Sequence, residues 1–430
     1  MEGWKHDKFK NQIQYKSGYT WSKEQELHTQ EPNAVRVLTV TNVQKELDLK
    51  EELYLKDVSE KDKVDKAVSK DWCIAVSSNG NRKRIGNAVF IKDDTDYLFA
   101  SFLTAFRPKP NSDIIPEFFF RWLSSHFVQE RLTSVSEGTT GLGNLDIRFL
   151  RNLDIYFPDK HVQTTIAYIL SKVDEAISSV QNSVAAAERL KKSLMQNLLT
   201  GKMKPDGTFR SPEEFYIDEK FGKVPVGWEV KSIDEISDFV QYGLNISSSD
   251  NGQIPMLRMN NIINGEMSDS PLVYVNLNDQ LLHQYELEAG DILFNRTNSM
   301  DLVGKVGVFR LTGKYVFASY LIRVRVSKEN NPYYINLALN SYPIQCSLRS
   351  KATPAVSQAN INSKSLRHTL ILKPKNKDEQ DLMLSKIEEV ERVILQRNDK
   401  VKKLERLKKS LMQNLLTGRV VCYKSLNNII

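Results

Sequence analysis

Glu188–Gly201 reads ERLKKSLMQNLLTG, and Glu405–Gly418 reads ERLKKSLMQNLLTG again, 217 residues later. Chance does not place fourteen identical residues twice in one chain. The match also runs upstream without a gap, pairing Gln163 with Gln380, Val173 with Val390 and Ile177 with Ile394. The separation is about half of the 430 residues, far longer than the repeat of a solenoid. A whole domain plus a helix is therefore written twice, and the function should be exercised at two places.

The stretch Gln163–Leu199 contains neither Pro nor Gly. Its apolar residues fall at Ile166, Leu170, Val173, Ile177, Val180, Val184, Ala187, Leu190, Leu194 and Leu198, in steps of four and three. That is the seam of a coiled coil. The second copy runs through Met383, Ile387, Val390, Ile394, Arg397, Val401, Leu404, Leu407, Leu411 and Leu415, broken only by Arg397. Each run closes on Thr-Gly, a stop in which Gly takes the left-handed conformation. Two helices with one seam are expected to pack on each other, antiparallel by the internal pseudo-twofold. Packing of each helix on its own domain alone is the plainer alternative. A string held identical in both copies further suggests that both bind the same third partner, although a recent duplication would also explain it.

Outside the helices the copies match weakly but in order. Phe99–Leu103 recurs as Phe317–Leu321, Ile85-Gly86 as Val303-Gly304, Leu150-Arg151 as Leu366-Arg367, and Pro116 with its following aromatics as Pro332. Val37-Leu38 and Asn42-Val43 echo Met256-Leu257 and Asn261-Ile262. Stretches such as Val37–Val43, Ala88–Ile91 and Leu302–Phe309 read as strands, and Phe118–Phe127 and Tyr333–Ser341 as short helices. Met203–Val226, with Pro205, Gly207, Pro212 and Pro225, reads as the boundary. The expected class is mixed α/β (α+β), with two tandem domains joined by two long antiparallel coiled-coil helices. The expected division is 1–160 domain, 161–201 helix, 202–224 linker, 225–378 domain, 379–419 helix and 420–430 tail.

Composition narrows the function. A net charge of +7 and a pI near 9.0 lean toward a polyanionic partner. Cys73, Cys346 and Cys422 are too few and too scattered for a disulfide framework or a zinc site. No apolar run approaches the ~18 residues of a membrane span, and MEGWKHDKFKNQ does not read as a signal peptide. A reducing cytoplasm, with no membrane partner, is the expected setting.

Polar, basic loops sit at matching places. The first holds Asn79, Asn81, Arg82, Lys83 and Arg84 before Ile85-Gly86; the second holds Arg296 and Asn298 before Val303-Gly304. Arg reads guanine edges and Asn reads adenine, while Lys and Arg also neutralise phosphates. Arg258, Asn260 and Asn261 join them as candidates. The plain alternative is a solvated hairpin. Motifs for chemistry fail. Asn331-Pro332-Tyr333-Tyr334 lacks the second proline of the adenine-methyltransferase tetrapeptide and reads as a helix start. Gly141-Leu142-Gly143 lacks a third glycine, its counterpart Ser357-Gln358-Ala359 has none, and the six histidines show no metal spacing. No catalytic residue, metal site or cofactor site is expected in this chain.

With these features assembled, the chain resembles the specificity subunit of Type I restriction–modification enzymes over essentially its whole length. The resemblance rests on the domain–helix–domain–helix order, Pro225-Val226-Gly227-Trp228-Glu229, Gly290-Asp291-Ile292-Leu293, Val303-Gly304-Lys305 and the helix end LKKSLMQNLLTG. The first half departs from it, having no Pro-x-Gly-Trp opening and carrying Trp72-Cys73-Ile74 where Gly-Asp-Ile is expected. The resemblance implies two target-recognition domains, each reading one half of a split double-stranded DNA target. It implies helices that set the spacing and dock two modification subunits; the seam residues Val173, Ile177, Leu190, Leu194, Leu198, Val390, Ile394, Leu407, Leu411 and Leu415 are the candidates for the partner or helix–helix interface. S-adenosylmethionine for adenine methylation, and ATP and Mg for the restriction and translocase subunits, then belong to the partners. The alternative is the targeting subunit of a fused restriction–methylation system of the Type IIB or IIG kind. A methyltransferase in its own right and a purely structural coiled-coil scaffold are further readings, separable by S-adenosylmethionine binding and by salt-dependent DNA binding.

Overall fold

A computed structural model describes residues 3–136, 143–354 and 358–420 of the chain. They form two compact units, Met1–Asn182 with Asn398–Ile430, and Ser183–Arg397. The long helices are Lys160–Leu199 and Lys377–Leu415, of 40 and 39 residues. At 1.5 Å per residue each is about 60 Å long. Gly201 and Gly418, at φ +67° and +63°, stop them in the left-handed region as their sequence dictates. Neither helix belongs to one unit alone, so the compact units cut across the 161–201 and 379–419 segments.

Each unit pairs the start of one long helix with the end of the other, and the segments run antiparallel. In the first unit Ile166 and Leu170 share a core with Leu415 and Leu416, and Asp174 meets Lys408. In the second, Leu198 shares a core with Met383 and Ile387, and Lys191 meets Glu391. Arg397, the residue that interrupts the seam, turns its guanidinium to the backbone and donates from Nη1 to Ser183 O at 3.0 Å. A buried Gln bolts each helix start to its own domain. Gln163 accepts from Ile115 N–H and donates to Asp113 O and Pro158 O. Gln380 accepts from Asn331 N–H and donates to Pro374 O.

The domains follow one plan. The first has a four-stranded antiparallel sheet ordered Ile13–Ser17, Leu103–Pro108, Cys73–Val76, Ala88–Phe90. The second has Ser237–Tyr242, Leu321–Val326, Ile292–Asn295 and Val306–Val308 in the same order, continued by Glu266–Met267 and Ile262–Ile263. Helices Pro116–Leu123 and His126–Ser134 pack into the first core, and Pro332–Leu339 and Tyr342–Ser350 into the second. Beside each sheet a strand runs parallel to a short one, Val35–Leu38 with Leu98–Phe99 and Ile254–Leu257 with Val316–Phe317.

Several expectations need correction. The first strand ends at Leu38; Thr39–Asn42 is a turn closed by Asn42 N–H to Thr39 O. The stretch 202–224 is not a bare linker. Phe215–Asp218 and Gly222–Pro225 form a hairpin, and Arg210 lies over the Trp228 ring and pairs with Glu379 at 2.6 Å. Trp228 also donates from Nε1 to Glu379, so the boundary segment is bolted to its domain. The first domain does keep a Gly-Trp opening. Gly3 at φ +80° precedes Trp4, which packs on the first core, as Gly227 at φ +87° precedes buried Trp228.

The counterpart of Gly290-Asp291-Ile292 is Asp71-Trp72-Cys73, one residue earlier than the sequence comparison placed it. Asp71 N–H bonds Ile91 O as Gly290 N–H bonds Phe309 O, and both residues have positive φ, +71° and +95°. In the second domain buried Asp291 binds the Arg325 fork at 2.7 Å through both oxygens. In the first, Trp72 takes that place and Arg107 stacks on its ring at 4.6 Å, with Lys16 at 4.5 Å. A cation–π stack replaces an ion pair on the same strands. Burial, then the charges of Arg107 and Lys66, push the Lys16 amine down to about 8.

Asn331 caps the helix Pro332–Leu339, its Oδ1 accepting from Tyr333 N–H and Tyr334 N–H at 2.8 and 3.2 Å. The Asn-Pro-Tyr-Tyr string is therefore a helix start. Among the described residues no helix is long and apolar enough to cross a membrane.

Candidate nucleic-acid interface

The polar loops leave the central strand of each sheet and return to it. In the first domain Ser77 N–H and Ser78 N–H both donate to Phe102 O, at 2.9 and 3.1 Å. Ser78-Asn79 then pairs with Gly143-Asn144. Asn81 caps the short 3-10 turn Arg82–Arg84, accepting from Lys83 N–H at 3.1 Å, and Asn79 Oδ1 accepts from Asn81 N–H at 2.8 Å. The chain closes where Gly86 N–H meets Val76 O at 2.9 Å.

The second domain repeats the frame of this loop. Arg296 N–H donates to Tyr320 O at 3.0 Å, Thr297-Asn298 pairs with Ala359-Asn360, and Gly304 N–H meets Asn295 O at 2.9 Å. Gly86 and Gly304 share φ +84°, a conformation that excludes most side chains. A glutamine on the second short helix fixes each glycine. Gln129 Nε2 donates to Gly86 O and Leu123 O, and Gln345 Nε2 to Gly304 O and Leu339 O, all at 2.7–2.8 Å.

The candidate side chains separate into two groups. Arg82, Lys83 and Asn81 are exposed, and Arg82, Lys83, Arg258 and Arg296 take part in no ion pair among the described residues. Asn79 and Asn298 occupy the same strand position, which the sequence offsets had hidden by one residue. Arg296 lies 4.8 Å over the Tyr242 ring. Burial alone would raise the Tyr242 hydroxyl; the Ser363 N–H and the charges of Arg296 and Arg367 outweigh it and hold it below the ordinary tyrosine value. Asn298 reaches Met259 Sδ at 3.6 Å, which brings the Arg258–Asn261 turn beside the loop. Asn260 is exposed there.

Arg84 and Asn261 are spent on the fold. Arg84 Nη2 donates to Val40 O and Val43 O at 2.9 and 2.7 Å. Asn261 is fully buried, accepts from Arg258 N–H and donates to Ser268 O and Pro271 O. Asn42 does the same in the first domain, with Thr39 N–H, Asp48 O and Glu51 O. Sequence reasoning missed Asn144 and Asn360, which stand across from the loop strands. Their offset of 216 equals that of Leu150 and Leu366, and that signal was available. Gly141, Leu142, Ser357 and Cys422 lie outside the described residues.

On the helices, Leu198 and Leu415 are buried at 1% and 3%, Leu194 and Leu411 pack against the same cores, and Val173, Ile177, Val390 and Ile394 are half-buried. Leu190 and Leu407 are not in the seam; they stand 52% and 47% exposed. At about 100° per residue Lys191 falls within about 20° of Ile166 around a straight helix, whereas Leu190 is about 120° away. The lysine, with its acidic partner, takes the seam position instead.

Twin α/β domains that hold alike a cation- and amide-bearing loop, each followed in the chain by a long helix, define a protein duplicated down to its candidate interface. The family model described as Type I restriction modification DNA specificity domain matches residues 1–189 and 225–406, and the chain belongs to that family. The MjaX protein of Methanocaldococcus jannaschii is 29% identical over 223 residues, 49% of this chain, which spans about half (52%) of that relative's length. The Type I restriction enzyme EcoKI specificity subunit of Escherichia coli is 21% identical over 377 residues, covering 85% of this chain and 77% of that one. The S subunit of the Type I restriction–modification system of M. genitalium has the same fold, with a TM-score of 0.54 at 15% identity over 96% of each chain.

Proposed function

We propose that this chain is the DNA-reading, non-catalytic specificity subunit of a Type I restriction–modification complex, in which each domain reads one half of a bipartite duplex target. The observation that carries this is the repeated frame of the two loops, anchored by the Ser77 and Arg296 N–H bonds to the turn carbonyls and by those of Gly86 and Gly304 to the central strand, in domains whose sequences otherwise differ. Such duplication fits two short half-sites better than one continuous site. Asn79, Asn81, Arg82 and Lys83 in the first domain, and Arg258, Asn260, Arg296 and Asn298 in the second, are the candidate contacts. Amide and guanidinium groups read base edges in the major groove, and the free cations neutralise phosphates.

The long helices set the unread spacing and dock modification subunits, two by the duplication. The face for this docking carries Leu190 and Leu407, exposed within identical strings. Chemistry then resides in the partners: adenine methylation with S-adenosylmethionine in the modification subunits, ATP-driven translocation and cleavage in restriction subunits. The chain co-expressed with its modification partner should bind duplex DNA with log affinity falling linearly in log salt. Absence of salt-dependent duplex binding would refute the reading.

A further inference from the structure

Phe102 and Tyr320 occupy one place in the two units. Each is the third residue of a four-residue turn, closed by Leu103 N–H to Ala100 O and by Leu321 N–H to Ala318 O, both at 2.9 Å. A Cβ on Gly18 would stand 2.0 Å from Ala100 O, and one on Gly243 would stand 2.3 Å from Ala318 O. The turns are thus wedged against glycine backbone and cannot slide. Their own carbonyls hold the reading loops, Phe102 O accepting from Ser77 and Ser78 and Tyr320 O from Arg296.

Within each unit, the residue that carries the ring also holds the loop through its carbonyl. Yet the rings face water: Phe102 is 50% and Tyr320 48% exposed, while Phe99, Leu103, Phe317 and Leu321 around them are fully buried. One residue has a hydroxyl and the other does not, so the shared chemistry is the aromatic ring. Among the described residues neither ring belongs to a hydrophobic core cluster. The first loop, 77–84, supplies charge and hydrogen bonds but no large apolar side chain, and the second adds Met300 and Leu302, 43% and 39% exposed.

We propose that Phe102 and Tyr320 are DNA-contact residues, each laying its ring on the duplex beside its loop and giving apolar contact to base edges such as the thymine methyl. This rests on the reading above, that the loops meet DNA. The test is equilibrium binding of the chain, in complex with its modification partner, to its target duplex over a salt series. Phe102→Ala and Tyr320→Ala should each weaken binding about tenfold, the lower end of what one lost base-pair contact costs, with the salt slope unchanged because no phosphate contact is lost. Tyr320→Phe should bind within about twofold of the unaltered chain, since the ring is kept.

Alanine variants that bind like the unaltered chain would overturn the proposal, as would a loss accompanied by a shallower slope. Equal losses in Tyr320→Phe and Tyr320→Ala would overturn it too, by assigning the effect to the hydroxyl. Phe102→Gln keeps a long side chain at this half-exposed turn position and removes the ring, so full affinity in that variant counts against the proposal even where the alanine variant unfolds. An unaltered complex without salt-dependent duplex binding would sink the functional reading itself. Normal binding with indifferent ring variants would sink only this inference.

Discussion

Lys408 Nζ lies 2.6 Å from Asp174 Oδ1, and Lys191 Nζ lies 2.6 Å from Glu391 Oε1, the same pair displaced by 217 residues in both members. Both lysines belong to the duplicated string. Part of its identity therefore serves the packing of one long helix on the other, not a third partner. In the first unit Arg121 also binds Asp174, joining the helix pair to the recognition domain.

Asp174→Asn should lower the unfolding free energy by about 1–2 kcal/mol at pH 7, the range for a partly exposed charge cluster. Burial alone would raise the Asp174 pKa, but the Lys408 hydrogen bond and the Arg121 charge outweigh it and hold the carboxyl below its ordinary 3.8. A depressed folded pKa gives stability that is present above the ordinary value and lost as pH falls through the lower one. Denaturant titrations of both proteins should therefore converge below about pH 3.8. A difference that stays constant into acid would remove the ion pair from the account.

Leu190→Asp combined with Leu407→Asp should abolish co-purification with modification subunits and leave thermal unfolding within about 1 kcal/mol of the unaltered chain, as befits exposed positions. Leu198→Asp, at a site 1% exposed, should instead destabilise by several kcal/mol, roughly 3–5. If the exposed double variant still assembles, the docking face lies elsewhere.

Gln345→Leu removes the donor to Gly304 O and Leu339 O. Two carbonyls left unpaired should cost about 1–3 kcal/mol and loosen the second loop without touching DNA. Affinity for a duplex altered in one half-site separates the effects: the variant should grow indifferent to one half of the target only. Equal damage to both halves would mean that the glutamine acts on the whole fold.

Arg82→Ala with Lys83→Ala should flatten the salt dependence of duplex binding, by about 0.9 per lost phosphate contact. An affinity loss at constant slope would assign these side chains to base edges and not to the backbone.

The sequence spoke clearly where physics is local. Thr-Gly ended both helices, Pro332 opened one, and the duplication mapped each domain onto the other. It spoke less clearly where a single inserted residue shifts a strand. Asp71-Trp72-Cys73 escaped alignment with Gly290-Asp291-Ile292 because an aspartate stands at the positive-φ position and a cation–π stack replaces the ion pair. Gly3-Trp4 escaped because the early strands sit at offsets of 224 and 225, outside the 216–219 window of the later matches. Arg84 and Asn261 looked like reading residues since a guanidinium or amide committed to backbone carbonyls has no mark in sequence. The heptad rule placed Leu190 in the seam, whereas a straight helix of 3.6 residues per turn brings Lys191 there.

The central claim is that two separate domains each read one half of the DNA target. Methylome sequencing of cells carrying the chain with its partners tests it most directly, comparing the unaltered chain with one in which residues 77–84 are replaced by another polar loop. The account predicts a bipartite motif in which only one half changes, with the other half and the unread gap retained. A single uninterrupted motif, or a change in both halves at once, would contradict it.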